Sequence, residues 1–189
     1  MPHEITKIEF AYAGWSSILV AAVRLPDGHV VKREIEDHGD AAAVLPYDPG
    51  RRTAMVIRQF RLPPFHVAGE ERLLEVAAGI LDEDDPAACA RREAMEELGL
   101  RLGALEHVVT AWTMAGISTE RGHLYLALYK AEDRVAPGGG LTDEHEHIEV
   151  VELSLSELAR MLDAGQITDM KLFALTQTLR VRRPELFVR

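Results

Sequence analysis

The sequence predicts a mixed α/β sandwich, with many short strands around one central helix and a pair of helices at the C-terminal end. Two observations carry this. Runs of β-branched and other apolar residues recur between Gly, Pro and Asp punctuation as far as Leu153. Helix start and stop signals stand at three places, Asp85–Gly99, Ser154–Gly165 and Asp169–Arg180.

Taken in order, Ser16–Arg24 is rich in Val, Ile, Leu and Ala, Pro26-Asp27-Gly28 turns the chain, and His29–Ile35 returns with β-branched pairs. That is a hairpin signal. Ala41–Leu45 and Ala54–Phe60 read as two further strands separated by Asp48-Pro49-Gly50, with Pro63-Pro64 closing the second. Leu73–Ala77 is a short strand leading into Gly79. The helix that follows has Asp85 as N-cap, Pro86 at its first position and Gly99 as its stop. Ala87, Ala90, Ala94 and Leu98 give it a narrow stripe of small residues, suited to close packing on a sheet. Leu105–Thr113, His123–Tyr129 and Ile148–Leu153 read as strands. Between the last two, Ala136–Gly140 and the acidic-histidine run Asp143–His147 form a long loop, expected to be flexible. Ser154 with Glu157 makes a capping box for a helix ending at Gly165, and Asp169 starts another over Lys171–Arg180. The division expected is an N-terminal antiparallel strand element over residues 1–40 and a main domain over 41–189.

Composition narrows the function. An apolar content of 47% supports a sizeable core in a chain of 189 residues. The formal net charge of −10 argues against sequence-independent nucleic-acid binding and against a polybasic membrane surface. Cys89 is the single cysteine, so no intrachain disulfide forms, which fits a reducing compartment. No apolar run approaches the ~18 residues of a spanning helix, and no signal-peptide pattern opens the chain. A soluble cytoplasmic protein is expected.

The chemistry concentrates in Arg92-Glu93-Ala94-Met95-Glu96-Glu97-Leu98-Gly99. Glu93 and Glu97 are i,i+4 neighbours, so their carboxylates share one helix face. Like charges at that spacing repel, and no lysine intervenes. A hard divalent cation between them turns the arrangement into a ligand set. A solvated helix face is the competing reading, and the alanine stripe and the acidic loop Asp82–Asp85 count against it.

This pattern resembles the Nudix box, a glycine, five residues, glutamate, seven residues and then Arg-Glu-apolar-x-Glu-Glu-x-Gly-apolar. Arg92, Glu93, Ala94, Glu96, Glu97, Gly99 and Leu100 match the second half position by position. The first half departs: Gly79 stands one residue too close to Arg92, and Asp84 replaces the glutamate. The shortened stretch Gly79–Cys89 is similar to the GDP-mannose pyrophosphatase branch of the family. So are Lys32-Arg33-Glu34, Ile57-Arg58-Gln59-Phe60-Arg61, and Gly138-Gly139-Gly140 followed by an acidic loop and Ile148-Glu149-Val150. The broader ADP-ribose pyrophosphatase group shares the Arg-Gln-aromatic-Arg strand.

The resemblance implies the Nudix α/β/α sandwich and Mg²⁺-dependent hydrolysis of a nucleotide-sugar diphosphate, with Mn²⁺ as a substitute metal. GDP-mannose, cleaved to GMP and mannose 1-phosphate, is the lead substrate, and ADP-ribose, giving AMP and ribose 5-phosphate, is the alternative within the class. The metal ligands it implies are Glu93 and Glu97, the backbone carbonyl of Ala78, Glu96 in a secondary position, and Glu146 in the loop. Glu97, Glu96 and Glu146 are the candidates for the catalytic step. Arg92 is expected to orient the carboxylates by bidentate pairing. Substrate contacts carry over onto Trp15, Lys32, Arg33, Glu34, Arg61, Gly79, Glu120 and Lys171.

Several of these have bland readings beside them. Trp15 is either a base-stacking ring or a core tryptophan. Glu120, after Ala115-Gly116-Ile117-Ser118-Thr119, either contacts substrate or lies at the surface, as does Lys171. Arg61 is the best anion clamp among the strand arginines Arg33, Arg58 and Arg61. His145 and His147 read as exposed loop histidines, and Cys89 as packing. In this branch the N-terminal strands reach across to a partner, so a homodimer is expected. The rival from another class is a Nudix-like sensor that binds a nucleotide without turnover; Glu93, Glu96 and Glu97 argue against it.

Overall fold

The computed structural model describes residues 2–81, 85–141 and 147–188. The chain forms two units, one made of Met1–Ala41 and Thr110–Gly122, the other of Ala42–Val109 and His123–Arg189.

The first unit holds an antiparallel sheet of β1 (Glu4–Ala13), β2 (Ser17–Arg24) and β3 (Val30–Asp37), in that order. The hairpin between β2 and β3 pairs Arg24 with Val30 and Ser17 with Asp37 without a register break. Gly28, at φ 91°, makes the turn, which fits the sequence expectation. Strand β1 was not expected. Its apolar residues miss the strict period of two because bulges fall between Ile5 and Lys7 and between Phe10 and Tyr12. The bulges put Ile5, Ile8 and Phe10 opposite Val23, Ala21 and Leu19. One face of the sheet is therefore apolar, and its β1 edge is exposed.

The second unit is built on a seven-stranded sheet. Its strands are β4 (Ala41–Asp48), β5 (Thr53–Gln59), β6 (Leu73–Glu75), β7 (Ala77–Ile80), β8 (Leu105–Trp112), β9 (Arg121–Leu128) and β10 (Glu149–Ser154). Their order is β10-β5-β4-β9-β8, with β6 added to β5 and β7 to β4. The helices are α1 (Leu62–Ala68), α2 (Pro86–Leu98), α3 (Leu155–Asp163) and α4 (Met170–Arg182).

Alternation along the strands separates two cores. Met55 and Ile57 face Cys89, Ala90, Ala94 and Leu98 of α2. Ala54 and Val56 face Leu155, Leu158, Leu172, Leu175 and Leu179 of α3 and α4. Each fully buried leucine contributes about 1.5–3 kcal/mol of hydrophobic stabilisation. The small residues of α2 bring its backbone close to the sheet. This is the α/β/α sandwich expected.

Three elements differ from the sequence reading. Pro63-Pro64 follows β5 as expected, but it lies in the first turn of α1 and does not simply end a strand. The first helical turn has no use for the missing N–H, so prolines fit there. The predicted strand Leu73–Ala77 is split at Val76 between β6 and β7, which pair with different neighbours. Helix α3 ends at Asp163, before Gly165. Among the described residues no helix is long and apolar enough to cross a membrane.

Candidate active site

Helix α2 carries the site, and its ends are fixed as the sequence required. Asp85 accepts from the backbone N–H groups of Ala87 and Ala88 at 3.1 and 3.3 Å. Gly99, at φ 68°, closes the helix. A side chain at Gly99 would also collide with the Ala136 carbonyl, 2.0 Å from a built Cβ.

Between these ends the buried face of α2 holds two carboxylates, Glu93 and Glu97, beside Ala90 and Ala94. Glu97 accepts a 3.0 Å hydrogen bond from the Ala78 N–H, tying α2 to β7. The Glu93 carboxylate lies over Gly79: a Cβ there would stand 2.0 Å from Glu93 Oε1 and 2.3 Å from its Cδ. Gly79 is a glycine because the carboxylate occupies the space a side chain needs. Arg92 Nη1 reaches Glu93 Oε1 at 2.8 Å and Glu96 Oε2 at 3.2 Å. The Arg92 charge is held by both carboxylates, and they raise its pKa against the opposing effect of burial. Cys89 is fully buried, and its Sγ lies 3.5 Å from the Ile80 carbonyl and 3.8 Å from that of Gly79.

The donor set suits a hard cation. Glu93, Glu96 and Glu97 offer carboxylate oxygens on one stretch of helix, and β7 runs alongside with its Ala78 carbonyl. Among the described residues no three Asp, Glu, His or Cys side chains form a group that could by themselves hold a metal ion.

Ala136–Gly140, expected to be flexible, is tied to the end of α2 by backbone hydrogen bonds. Gly139 N–H donates to the Glu97 carbonyl at 2.9 Å and Gly140 N–H to the Glu96 carbonyl at 3.1 Å. Val135 N–H donates to the Gly99 carbonyl at 2.9 Å. These donors satisfy carbonyls that the last turn of a helix otherwise leaves open. Gly138, at φ 73°, has its missing Cβ position 2.5 Å from the Glu97 carbonyl. The glycines serve close approach to the end of α2. Asp84, His145 and Glu146 lie outside the described residues, and His147 is exposed.

A second charged group lies in the same unit. Glu75, 1% exposed, ends β6. Arg61 grips it with Nε at 2.8 Å and Nη2 at 3.2 Å, and Lys171 Nζ reaches it at 3.1 Å. Lys171 also holds Asp169 at 2.7 Å, and Asp169 caps α4 through the Leu172 N–H. Burial alone pushes the Glu75 carboxyl up, but the Arg61 hydrogen bond and the Lys171 charge more than reverse it and leave its pKa below the usual range. Arg61 and Lys171 came from the sequence, and Asp169 as the start of its helix; Glu75 did not, although an acid inside Leu73-Leu74-Glu75-Val76-Ala77 was a visible signal. Arg58 faces Glu149 at 3.7 Å.

The remaining sequence candidates lie in the first unit. Lys32 and Glu34 stand on one face of β3, opposite Ala22 and Val20, and Arg33 stands on the other, opposite Ala21. Trp15 is 77% exposed, so the core reading fails. It stacks on His38 with ring centroids 5.0 Å apart. Glu120 accepts from the Thr113 hydroxyl and lies 3.6 Å from His38 Nε2. His38 was not singled out in the sequence.

A glycine under a carboxylate pair, on an arginine-braced helix packed against the sheet, defines a class as well as a geometry. The NUDIX domain model matches residues 37–175, and the chain belongs to the Nudix family. Its enzyme class is that of a pyrophosphohydrolase. Across 159 residues, 82% of each chain, it is 42% identical to the GDP-mannose pyrophosphatase of Cronobacter sakazakii. It is 38% identical, over the same length and coverage, to the GDP-mannose pyrophosphatases of Escherichia coli O1:K1 and Shigella dysenteriae serotype 1. The crystal structure of an ADP compounds hydrolase shares the fold, with a TM-score of 0.75 over 97% of each chain at 17% identity. Nudix hydrolases generally use a divalent metal.

Proposed function

We propose that this chain hydrolyses the diphosphate of GDP-mannose to GMP and mannose 1-phosphate, with Mg²⁺ as its metal. The observation that carries the reading is the buried Glu93/Glu97 pair, with the Glu93 carboxylate seated in the space left by Gly79. The relatives named above support the choice of substrate.

Glu93, Glu97 and the Ala78 carbonyl hold the ion, with Glu96 and Glu146 as further ligands. When bound, Mg²⁺ neutralises phosphate charge and lowers the pKa of a coordinated water; Mn²⁺, with similar charge and oxygen preference, substitutes. Glu97, Glu96 and Glu146 are the candidates to take the proton of the attacking water, because a carboxylate near its proton donor is a competent base. Arg92 fixes Glu93 and Glu96 so that neither turns away when the site is charged. Glu75 holds Arg61 and Lys171 as a preformed cationic pair for phosphate or ribose oxygens. Trp15, Lys32, Arg33, Glu34, Gly79 and Glu120 serve substrate recognition. Residues 1–40 act as the exchange element of a homodimer, supported by the exposed Ile5, Ile8 and Phe10 on the apolar face of their sheet. The enzyme works in the cytoplasm, in keeping with its having a single cysteine, Cys89.

The test is a panel of GDP-mannose, GDP-glucose, UDP-glucose and ADP-ribose with Mg²⁺, with products identified by phosphorus NMR. GMP and mannose 1-phosphate as the fastest-formed products support the proposal. Faster release of AMP and ribose 5-phosphate would move the substrate to ADP-ribose, and tight binding with no product would make the chain a sensor.

A further inference from the structure

In the first unit, four side chains, those of Glu36, Glu120, Ser118 and Trp15, gather around the His38 imidazole. His38 Nδ1 lies 2.7 Å from Glu36 Oε1, and Nε2 lies 3.6 Å from Glu120 Oε1. Ser118 ties the Glu36 carboxylate to the Glu120 backbone: its hydroxyl donates to Glu36 at 2.7 Å and accepts from the Glu120 N–H at 3.1 Å. Trp15 covers the imidazole at 5.0 Å with an interplanar angle of 22°. The backbone is locked as well. Glu36 N–H donates to the Ile117 carbonyl at 2.8 Å, and Thr119 N–H to the Glu36 carbonyl at 3.0 Å.

Both ring nitrogens face a carboxylate. Only the imidazolium has two N–H donors; either neutral tautomer would turn a lone pair toward a carboxylate. Burial alone favours the neutral ring, but the Glu36 hydrogen bond and the charges of Glu36 and Glu120 prevail, and the His38 pKa is raised. The charged groups facing the ring are Glu36 from β3 and Glu120 from the turn before β9. Of the other charges nearby in sequence, Asp37 accepts from Thr119, and Asp40 pairs with Arg121 at 2.7 Å.

We infer that His38 is a positioning residue: as an imidazolium it fixes Glu120 and the Trp15 ring, and so sets the affinity for the hydrogen-bond-donating, aromatic end of a nucleotide substrate. Glu120 is thereby held in place as an acceptor for substrate N–H or O–H groups, and Trp15 presents its outer face for stacking. When the ring loses its proton, Glu120 loses its cation and the platform loosens. Affinity therefore falls as pH rises through the His38 pKa. The link to substrate rests on the nucleotide-sugar reading; the His38–Glu120 coupling does not.

Two measurements test this on the full-length enzyme. The first follows the His38 imidazole by NMR titration without substrate, in the native protein and in Glu120→Gln. The inference expects a pKa above that of a free histidine, lowered in Glu120→Gln; a pKa indifferent to that change overturns the coupling. The second measures KM and kcat for GDP-mannose from pH 5.5 to 9 in the native enzyme, His38→Arg and His38→Phe. A native KM that rises about tenfold with pH, the order of one charge-assisted hydrogen bond, supports it, provided that His38→Arg stays low and His38→Phe stays high throughout. A folded His38→Phe enzyme with native KM at pH 6, or loss confined to kcat, overturns it. If the native enzyme leaves GDP-mannose intact, the substrate proposal fails, and the NMR titration still decides the coupling.

Discussion

Replacing Gly79 by alanine is the sharpest perturbation of the proposed metal site, because it adds one methyl group at a known distance from Glu93, one of the proposed ligands. The new Cβ would stand 2.0 Å from Glu93 Oε1, 2.3 Å from Cδ and 2.9 Å from Oε2. Real Cβ contacts stay above 3.0 Å, so the carboxylate must retreat by about 1 Å. Glu93 has little room to do so: its side chain is 11% exposed and held by Arg92 at 2.8 Å. A misplacement of about 1 Å in a reacting constellation costs on the order of 100-fold in rate. The fold should survive, since the displaced group is the end of a side chain. The assay is kcat for GDP-mannose across a Mg²⁺ titration, with Gly103→Ala as control, because a Cβ at Gly103 meets nothing within 4 Å. Gly79→Ala with native kcat and native Mg²⁺ dependence would refute the placement of Glu93 over Gly79 as a metal ligand.

Two further outcomes follow from the same geometry. Gly138→Ala, at φ 73° and 2.5 Å from the Glu97 carbonyl, should destabilise the protein by about 1–3 kcal/mol, read from urea denaturation midpoints. Glu75→Gln takes the carboxylate from Arg61 and one of two from Lys171, which keeps Asp169, and should cost about 2 kcal/mol at pH 7. The native Glu75 pKa is depressed, so its contribution is complete above the unfolded carboxyl value of roughly 4.3 and is lost as pH falls through the native value. Urea midpoints of the native protein should therefore drop more steeply below that pH than those of Glu75→Gln.

What the sequence made legible was local. Asp85, Pro86 and Gly99 bracket α2 because cap chemistry is written in neighbouring residues, and the alanine stripe marks the face that meets the sheet. Strand β1 was hidden because two bulges break the alternation that reveals a strand. The glycines at 138–140 looked like flexibility, since composition alone does not say whether a glycine is there to move or to let a helix end come close. Glu36 and Ser118 meet across 82 residues of chain, and His38 sits against Glu36 and Glu120. No local pattern announces such a cluster. Glu75 lies between these cases, visible as an acid in an apolar strand but without a partner until Arg61 and Lys171 are placed.

The central claim is that the buried carboxylates of α2 form a divalent-metal platform for diphosphate hydrolysis, and Glu97→Gln tests it most directly. The amide keeps an oxygen for the Ala78 N–H and removes the charge. GDP-mannose turnover is measured in the native enzyme and in the variant, in EDTA and across a Mg²⁺ titration, with thermal melts alongside. The account predicts native activity abolished by EDTA and restored by Mg²⁺, and a folded variant slowed by on the order of 100-fold or more. Full turnover by Glu97→Gln, or native turnover that persists in EDTA, would contradict it.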